Sequence, residues 1–155
     1  LNAYHMETAP IEYSDEVGPH EGLELQLMLN GTKRLAWFNE MDPVDAFSEH
    51  LENGQIHRFV WHDYTRNFYE AAKDHMPANT PWPEPAFYFL PGEDSRMHDL
   101  MALIVEQISQ DGPEVSFERE RKIGELLDYS PQAIDAFIAQ LQTRATKGEV
   151  SILDN

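Results

Sequence analysis

The sequence has no cysteine and few basic residues. Without cysteine, disulfides, thiolate metal ligands and a cysteine nucleophile are excluded. Only 11 Lys and Arg residues stand against 28 Asp and Glu residues, which gives a formal net charge of −17. Nucleic-acid affinity comes largely from basic side chains that neutralise phosphates. We therefore expect no direct binding to nucleic acid.

The sequence also lacks any long hydrophobic run. A membrane-spanning helix needs roughly 20 mostly apolar residues in succession, and no basic-then-apolar signal segment opens the chain. We therefore expect no membrane association and a cytoplasmic location, which suits a chain without cysteine. The His5-Met6 pair is typical of a cloning junction, so residues 1–5 are left out of the fold prediction.

Composition and length indicate one folded domain. The 155 residues are 41% hydrophobic and 11% aromatic, which suffices for one core. Residues 1–22 are predicted to form an acidic N-terminal arm that contains no Lys or Arg. Residues 23–147 are predicted to form a single α+β domain, and residues 148–155 a C-terminal tail.

The first part of the domain shows a two-residue period. Leucine occupies every second position of residues 23–29, which is typical of a half-buried strand. Asn30-Gly31 predicts a turn, and residues 33–38 can return as a second strand. A three-residue loop would pair Leu35 with Leu25 and Trp37 with Leu23, which keeps the apolar faces together.

The remaining elements are predicted from caps, periodicity and proline positions. Asp42 and Pro43 are residue types that are preferred at the N-cap and at the first position of a helix. Ser130 and Pro131 form a second pair of this kind. Four prolines exclude regular structure around Trp82. The predicted helices cover residues 43–52, 66–75, 93–110, 116–128 and 131–144, and two further strands cover residues 56–61 and 86–90.

This order of elements predicts an α+β fold. We expect a two-layer sandwich with a mainly antiparallel sheet of about four strands, helices packed on one face, and a C-terminal helical hairpin. The hairpin has helix-turn-helix spacing, but its second helix carries no basic residue before Arg144. A DNA-reading helix needs side chains that reach bases and phosphates, so we interpret it as a packing hairpin.

The sequence contains none of the familiar catalytic motifs. A glycine-rich phosphate loop, a Gly-x-Ser-x-Gly elbow, a His-Glu-x-x-His pair and a dinucleotide fingerprint are all absent. One metal hypothesis remains. Asp94 and His98 are four residues apart on a predicted helix, and His62 and Asp63 end a predicted strand. If they meet, they suit zinc, manganese or iron in a metal-assisted hydrolase; otherwise Asp94 favours a helix N-terminus and the histidines lie at the surface.

The charge pattern favours a binding protein that needs no cofactor. A strongly negative surface attracts basic proteins, although it can also serve solubility alone. The predicted interface contains Asp42, Asp45, Glu49 and Glu52, with Trp82 either as an anchor for the partner or as a lid over the core. We therefore expect a non-enzymatic, acidic protein-binding module, of the inhibitor or immunity type, with a basic protein partner. The alternatives are the metal-assisted hydrolase and a subunit of a larger assembly, and the oligomeric state stays open.

Overall fold

The computed structural model describes residues 22–39, 41–64, 74, 84–111 and 114–153. A π-helical turn, Gln107–Asp111, continues directly from the helix Asp94–Glu106. The helices are α1 (Glu24–Leu29), α2 (Val44–Glu52), α3 (Asp94–Glu106), α4 (Phe117–Leu126) and α5 (Pro131–Thr146). The strands are β1 (Leu35–Phe38), β2 (His57–Val60) and β3 (Ala86–Phe89). No helix within these described ranges is long and apolar enough to span a bilayer.

The three strands form one antiparallel sheet with β3 in the middle. Phe89 lies opposite Leu35 of β1 on one side and opposite His57 of β2 on the other. All four residues of β3 are buried, as expected for a short aromatic strand with a neighbour on each edge. The α+β class and the antiparallel sheet are confirmed. The described residues contain three strands and not about four.

The missing strand is the predicted strand at residues 23–29, which is helical instead. The segment contains Leu, Glu, Gln and Met, all good helix formers, and no β-branched residue to favour a strand. In the helix, Leu25 and Met28 are three residues apart and turn toward the same apolar cluster, while Leu29 is exposed. The predicted pairing of Leu35 and Trp37 with this segment is therefore wrong, because β1 pairs with β3.

Helices pack on both faces of the sheet. Side chains alternate between faces along a strand. Leu35, Phe87 and Phe89 join the cluster that holds the buried residues of α3, α4 and α5. Ala36 and Tyr88 join a second cluster with residues of α1 and α2. The expected packing of helices on one face is not confirmed, and a strand that is apolar at every position needs cover on both faces.

The C-terminal helices agree with their prediction. The side chain of Ser130 accepts a hydrogen bond from the backbone N–H of Ala133, and Pro131 occupies the first turn of α5. We call α4, α5 and the turn between them the α4–α5 hairpin. Beyond it, Ile152 forms a parallel bridge with Val115 just before α4. The domain boundaries stay predictions, and residues 1–21 lie outside the described part.

Two predictions in the middle of the chain have different outcomes. The predicted helix at 43–52 is confirmed, with bounds Val44–Glu52. Its start differs in detail, since Pro43 occupies the N-cap position and no side chain caps the helix. The predicted helix at 66–75 falls outside the described residues except for Asp74, as does most of the proline loop, including Trp82.

Candidate functional site

The outward face of α2 carries a row of acidic side chains. The inward face is fixed by Phe47, whose ring lies 4.4 Å from that of Tyr88 in β3. Because successive helical residues rotate by about 100°, Asp45, Glu49 and Glu52 lie on the opposite face, within about 60° of one another. All three are exposed. We call these residues the α2 acidic row.

The α2 acidic row has no basic partner within the described residues. The ion pairs there involve other carboxylates, such as Asp135 with Arg121 and Glu118 with Lys122. Met41, just before the helix, is 82% exposed, and Val44 in the first turn is also exposed. The row therefore presents uncompensated negative charge beside exposed apolar groups.

Asp42, predicted to belong to this interface, is used inside the fold. Its carboxylate accepts hydrogen bonds from the Arg58 guanidinium of β2 and from the Tyr88 hydroxyl of β3. Burial, and then the neighbouring Asp42 carboxylate, raise the pKa of Tyr88, so the phenol stays protonated and keeps donating. This contact joins the start of α2 to the sheet and does not include the other three carboxylates.

Within the described residues, the predicted metal ligands do not group into a metal site. His62 and Asp63 directly follow β2, and the His62 Nδ1 atom lies 2.5 Å from Oε2 of Glu84, which precedes β3. Asp94 and His98 are exposed in the first turns of α3. Across the described ranges, no group of three or more His, Asp or Glu side chains can hold a metal ion. The geometry therefore gives no support to the metal-assisted hydrolase.

A buried lysine that the sequence prediction missed ties the strand β1 region to α4. Lys33 is only 3% exposed, and its Nζ donates to the backbone oxygen of Leu127 at 2.6 Å. The same atom lies 5.1 Å from the centre of the Tyr129 ring. Burial lowers the pKa of Lys33 to about 8. The lysine satisfies a carbonyl that the end of a helix leaves without an internal partner.

Two arginines reach the same end of α4. Arg34 donates through its backbone N–H and its guanidinium to Asp128, which adopts a left-handed conformation with φ of 62°. Burial opposes ionisation of Asp128, but the hydrogen bonds from Arg34 outweigh it and hold the pKa of this carboxyl below its usual value. Arg96 of α3 donates to the carbonyl of Leu126 at 3.0 Å. Positive charge here complements the negative end of the helix dipole.

The opposite end of α4 holds a second buried polar group. The π-helical turn carries Gln107 inward, where its Oε1 accepts from Nη1 of Arg119 at 2.6 Å. Glu120, the next residue, is 1% exposed, and its Oε2 has no hydrogen-bond partner in the described structure. Burial raises the pKa of Glu120 to about 7, against the lowering effects of the chain's amino terminus and of Arg119. Helical periodicity signals that position 120 faces inward, but the sequence offers no sign of a partner.

Comparison with known proteins gives no relative from which a function could be inferred. No protein-family model, no curated protein and no solved structure matches this chain.

Proposed function

We propose that this chain is an acidic protein-binding module whose α2 acidic row engages a basic segment of a partner protein. The observation that carries the proposal is the row itself: three exposed carboxylates on one helix face without a basic partner among the described residues. The proposed biological role is inhibition of that partner, in the manner of an inhibitor or immunity protein, in the cytoplasm.

The spacing of the row supports a partner with regularly placed basic side chains. Residues three and four apart on a helix have Cβ atoms about 5–6 Å apart. Lys or Arg residues at similar spacing can each meet one carboxylate. The net charge of −17 adds a longer-range attraction that raises the association rate at low salt. Met41 and Val44 supply apolar contact beside the charges, where a partner can exclude water.

The test compares two variants that lose the same charge on opposite sides of the sheet. The row variant carries Asp45→Asn, Glu49→Gln and Glu52→Gln. The control variant carries Asp99→Asn, Glu114→Gln and Glu125→Gln. Asp99 lies on α3, Glu125 lies on α4 and Glu114 lies just before α4, and both helices pack on the other face of the sheet. Both variants keep side-chain size and remove three negative charges. Any effect of net charge alone is therefore the same in the two proteins.

The assay is affinity capture from the source cells at low ionic strength, followed by elution with a salt gradient. We expect a basic protein to be retained by the wild type and by the control variant, and to be lost from the row variant. Retention should weaken as salt rises, because exposed charges are screened over about 10 Å at 0.1 M salt. Equal retention by the two variants would contradict a binding role for the row. If no basic protein is retained, the proposal fails, and the negative charge of the protein serves solubility alone.

A further inference from the structure

Glu120 is an ionisable group that the protein-binding proposal does not use. A carboxyl that is almost fully buried is normally paired, because an unpaired buried charge is costly. Here its Oε2 lacks a hydrogen-bond partner among the described residues. The cost suggests a functional reason for its position, since buried unsatisfied polar groups are rare in native proteins.

The position of Glu120 is the interface between α4 and the rest of the core. Glu120 lies one turn before Gly124, on the same face of α4. Gly124 packs so closely on α5 that an added Cβ would lie 2.7 Å from Cγ1 of Ile134. The residues that α5 buries are all apolar: Ala133, Ile134, Phe137, Ile138 and Leu141. This interface accommodates a neutral carboxyl much better than an ionised one.

The chain's amino terminus and Arg119 both favour the ionised form of Glu120, but burial outweighs them and keeps its pKa raised. On α4, Arg119 is bound to Gln107 and lies 3.7 Å from Glu106 of α3. On α5, Asp135 is 2.7 Å from Arg121, at the surface. The other charged residue of that helix is Arg144, which pairs with a glutamate beyond the helix at 3.0 Å. Each of these described groups already has a partner other than Glu120.

We propose that Glu120 is a proton-controlled latch of the α4–α5 hairpin: the neutral carboxyl stays in the closed interface, and loss of its proton to solvent favours local opening. The turn end of the hairpin is held by Lys33 and Arg34, which bind Leu127 and Asp128. The start of α4 is held by the Gln107–Arg119 hydrogen bond and, just before the helix, by the Val115–Ile152 bridge. The proposed opening is therefore a local separation around Glu120 that gives the ionised carboxylate access to water.

The direction and size of the effect follow from proton linkage. A carboxyl in water titrates near its ordinary pKa of 4.5, whereas burial raises the pKa of Glu120 in the closed form to about 7. Between these values the open fraction rises about tenfold per pH unit, and above them it is constant. The opening equilibrium is therefore about 20 times larger at pH 7.5 than at pH 5.5.

Hydrogen exchange of the backbone amides, followed by mass spectrometry from pH 5.5 to 8.5, tests the latch. Rates are corrected for the intrinsic pH dependence of exchange, and peptides from β3 serve as an internal reference. We compare the wild type with Glu120→Gln and with a matched control, Glu118→Gln, at an exposed position on the same helix. The wild type and the control should show the 20-fold loss of protection in α4, and Glu120→Gln should show none.

Two results would overturn the latch: a pH-independent α4 in the wild type, or the same pH response in Glu120→Gln. A second measurement covers the case in which that variant does not fold. The carboxyl carbon of Glu120, followed by NMR in the wild-type protein, should titrate with a midpoint near 7 that coincides with the loss of protection. A midpoint below pH 5 would refute the latch by itself. Neither experiment involves the α2 acidic row, so the two proposals can fail independently.

Discussion

Replacing Gly124 with alanine gives the sharpest test of how closely α4 and α5 pack. At an ordinary interior helix position, alanine is about 1 kcal/mol more favourable than glycine. Here the new Cβ would lie 2.7 Å from Cγ1 and 3.0 Å from Cδ1 of Ile134. Carbon atoms pack at about 3.5–4.0 Å, so the side chain or the helix must shift by several tenths of an ångström.

The expected cost follows from these two opposing effects. Overpacking of a tight core typically costs about 1–3 kcal/mol, whereas the higher helix propensity of alanine stabilises the helix by about 1 kcal/mol. We therefore expect Gly124→Ala to lower the free energy of unfolding by about 1 kcal/mol. In an Ile134→Ala background the close atoms are gone, and the remaining Cβ of residue 134 lies at 3.8 Å, an ordinary contact. There, the same substitution should stabilise the protein by about 1 kcal/mol.

The assay is a double-mutant cycle measured by urea unfolding with far-UV circular dichroism. The four proteins give a coupling energy between positions 124 and 134, expected to be about 2 kcal/mol. The sign change of the Gly124→Ala effect between the two backgrounds is the specific signature of steric contact. If the substitution stabilises both backgrounds equally, the helices do not approach as closely as described, and the reasoning is refuted.

Three further predictions concern individual polar contacts. Ser130→Ala removes the N-cap bond to Ala133 and should lower the free energy of unfolding by about 1 kcal/mol in urea unfolding. For Lys33, burial lowers the pKa from 10.5 to about 8, so the unfolded state binds the proton more tightly. Wild-type stability relative to Lys33→Met should therefore rise by about 3 kcal/mol from pH 8 to 10.5 in urea titrations; no rise would contradict the burial. Asp42→Asn should cost about 1 kcal/mol, whereas Asp45→Asn should change thermal stability by less than about 0.5 kcal/mol.

Most helices and strands could be predicted because their local signals agree with their packing. Ser130 and Pro131 mark the start of α5, and the spacing of Met97, Leu100 and Ile104 matches the buried face of α3. The strand prediction for residues 23–29 failed because a two-residue period in leucine does not exclude a helix that makes few apolar contacts. In α1 only Met28 is buried, so helix propensity decided the outcome.

The buried polar contacts could not be predicted because their partners are far apart in the sequence. Lys33 and Arg34 meet Leu127 and Asp128 across 94 residues. No local sequence pattern indicates a contact between residues so far apart along the chain. Burial of Glu120 agrees with helical periodicity, yet a glutamate in a charged segment is normally assigned to the surface. The α2 acidic row was within reach of prediction, because helix and face follow from local spacing; the use of Asp42 inside the fold was not.

The most direct test of the proposed function is site-specific photo-crosslinking at the α2 acidic row. A photoreactive residue replaces Ser48, which is exposed beside the row, and a control protein carries it at Gln132, exposed on α5. Both proteins are irradiated in the source cells at the same expression level. The proposal predicts that position 48 crosslinks a basic protein, that position 132 does not, and that the crosslink is lost when Asp45, Glu49 and Glu52 are neutralised. Equal crosslinking from both positions, or a crosslink that survives neutralisation, would contradict the central claim.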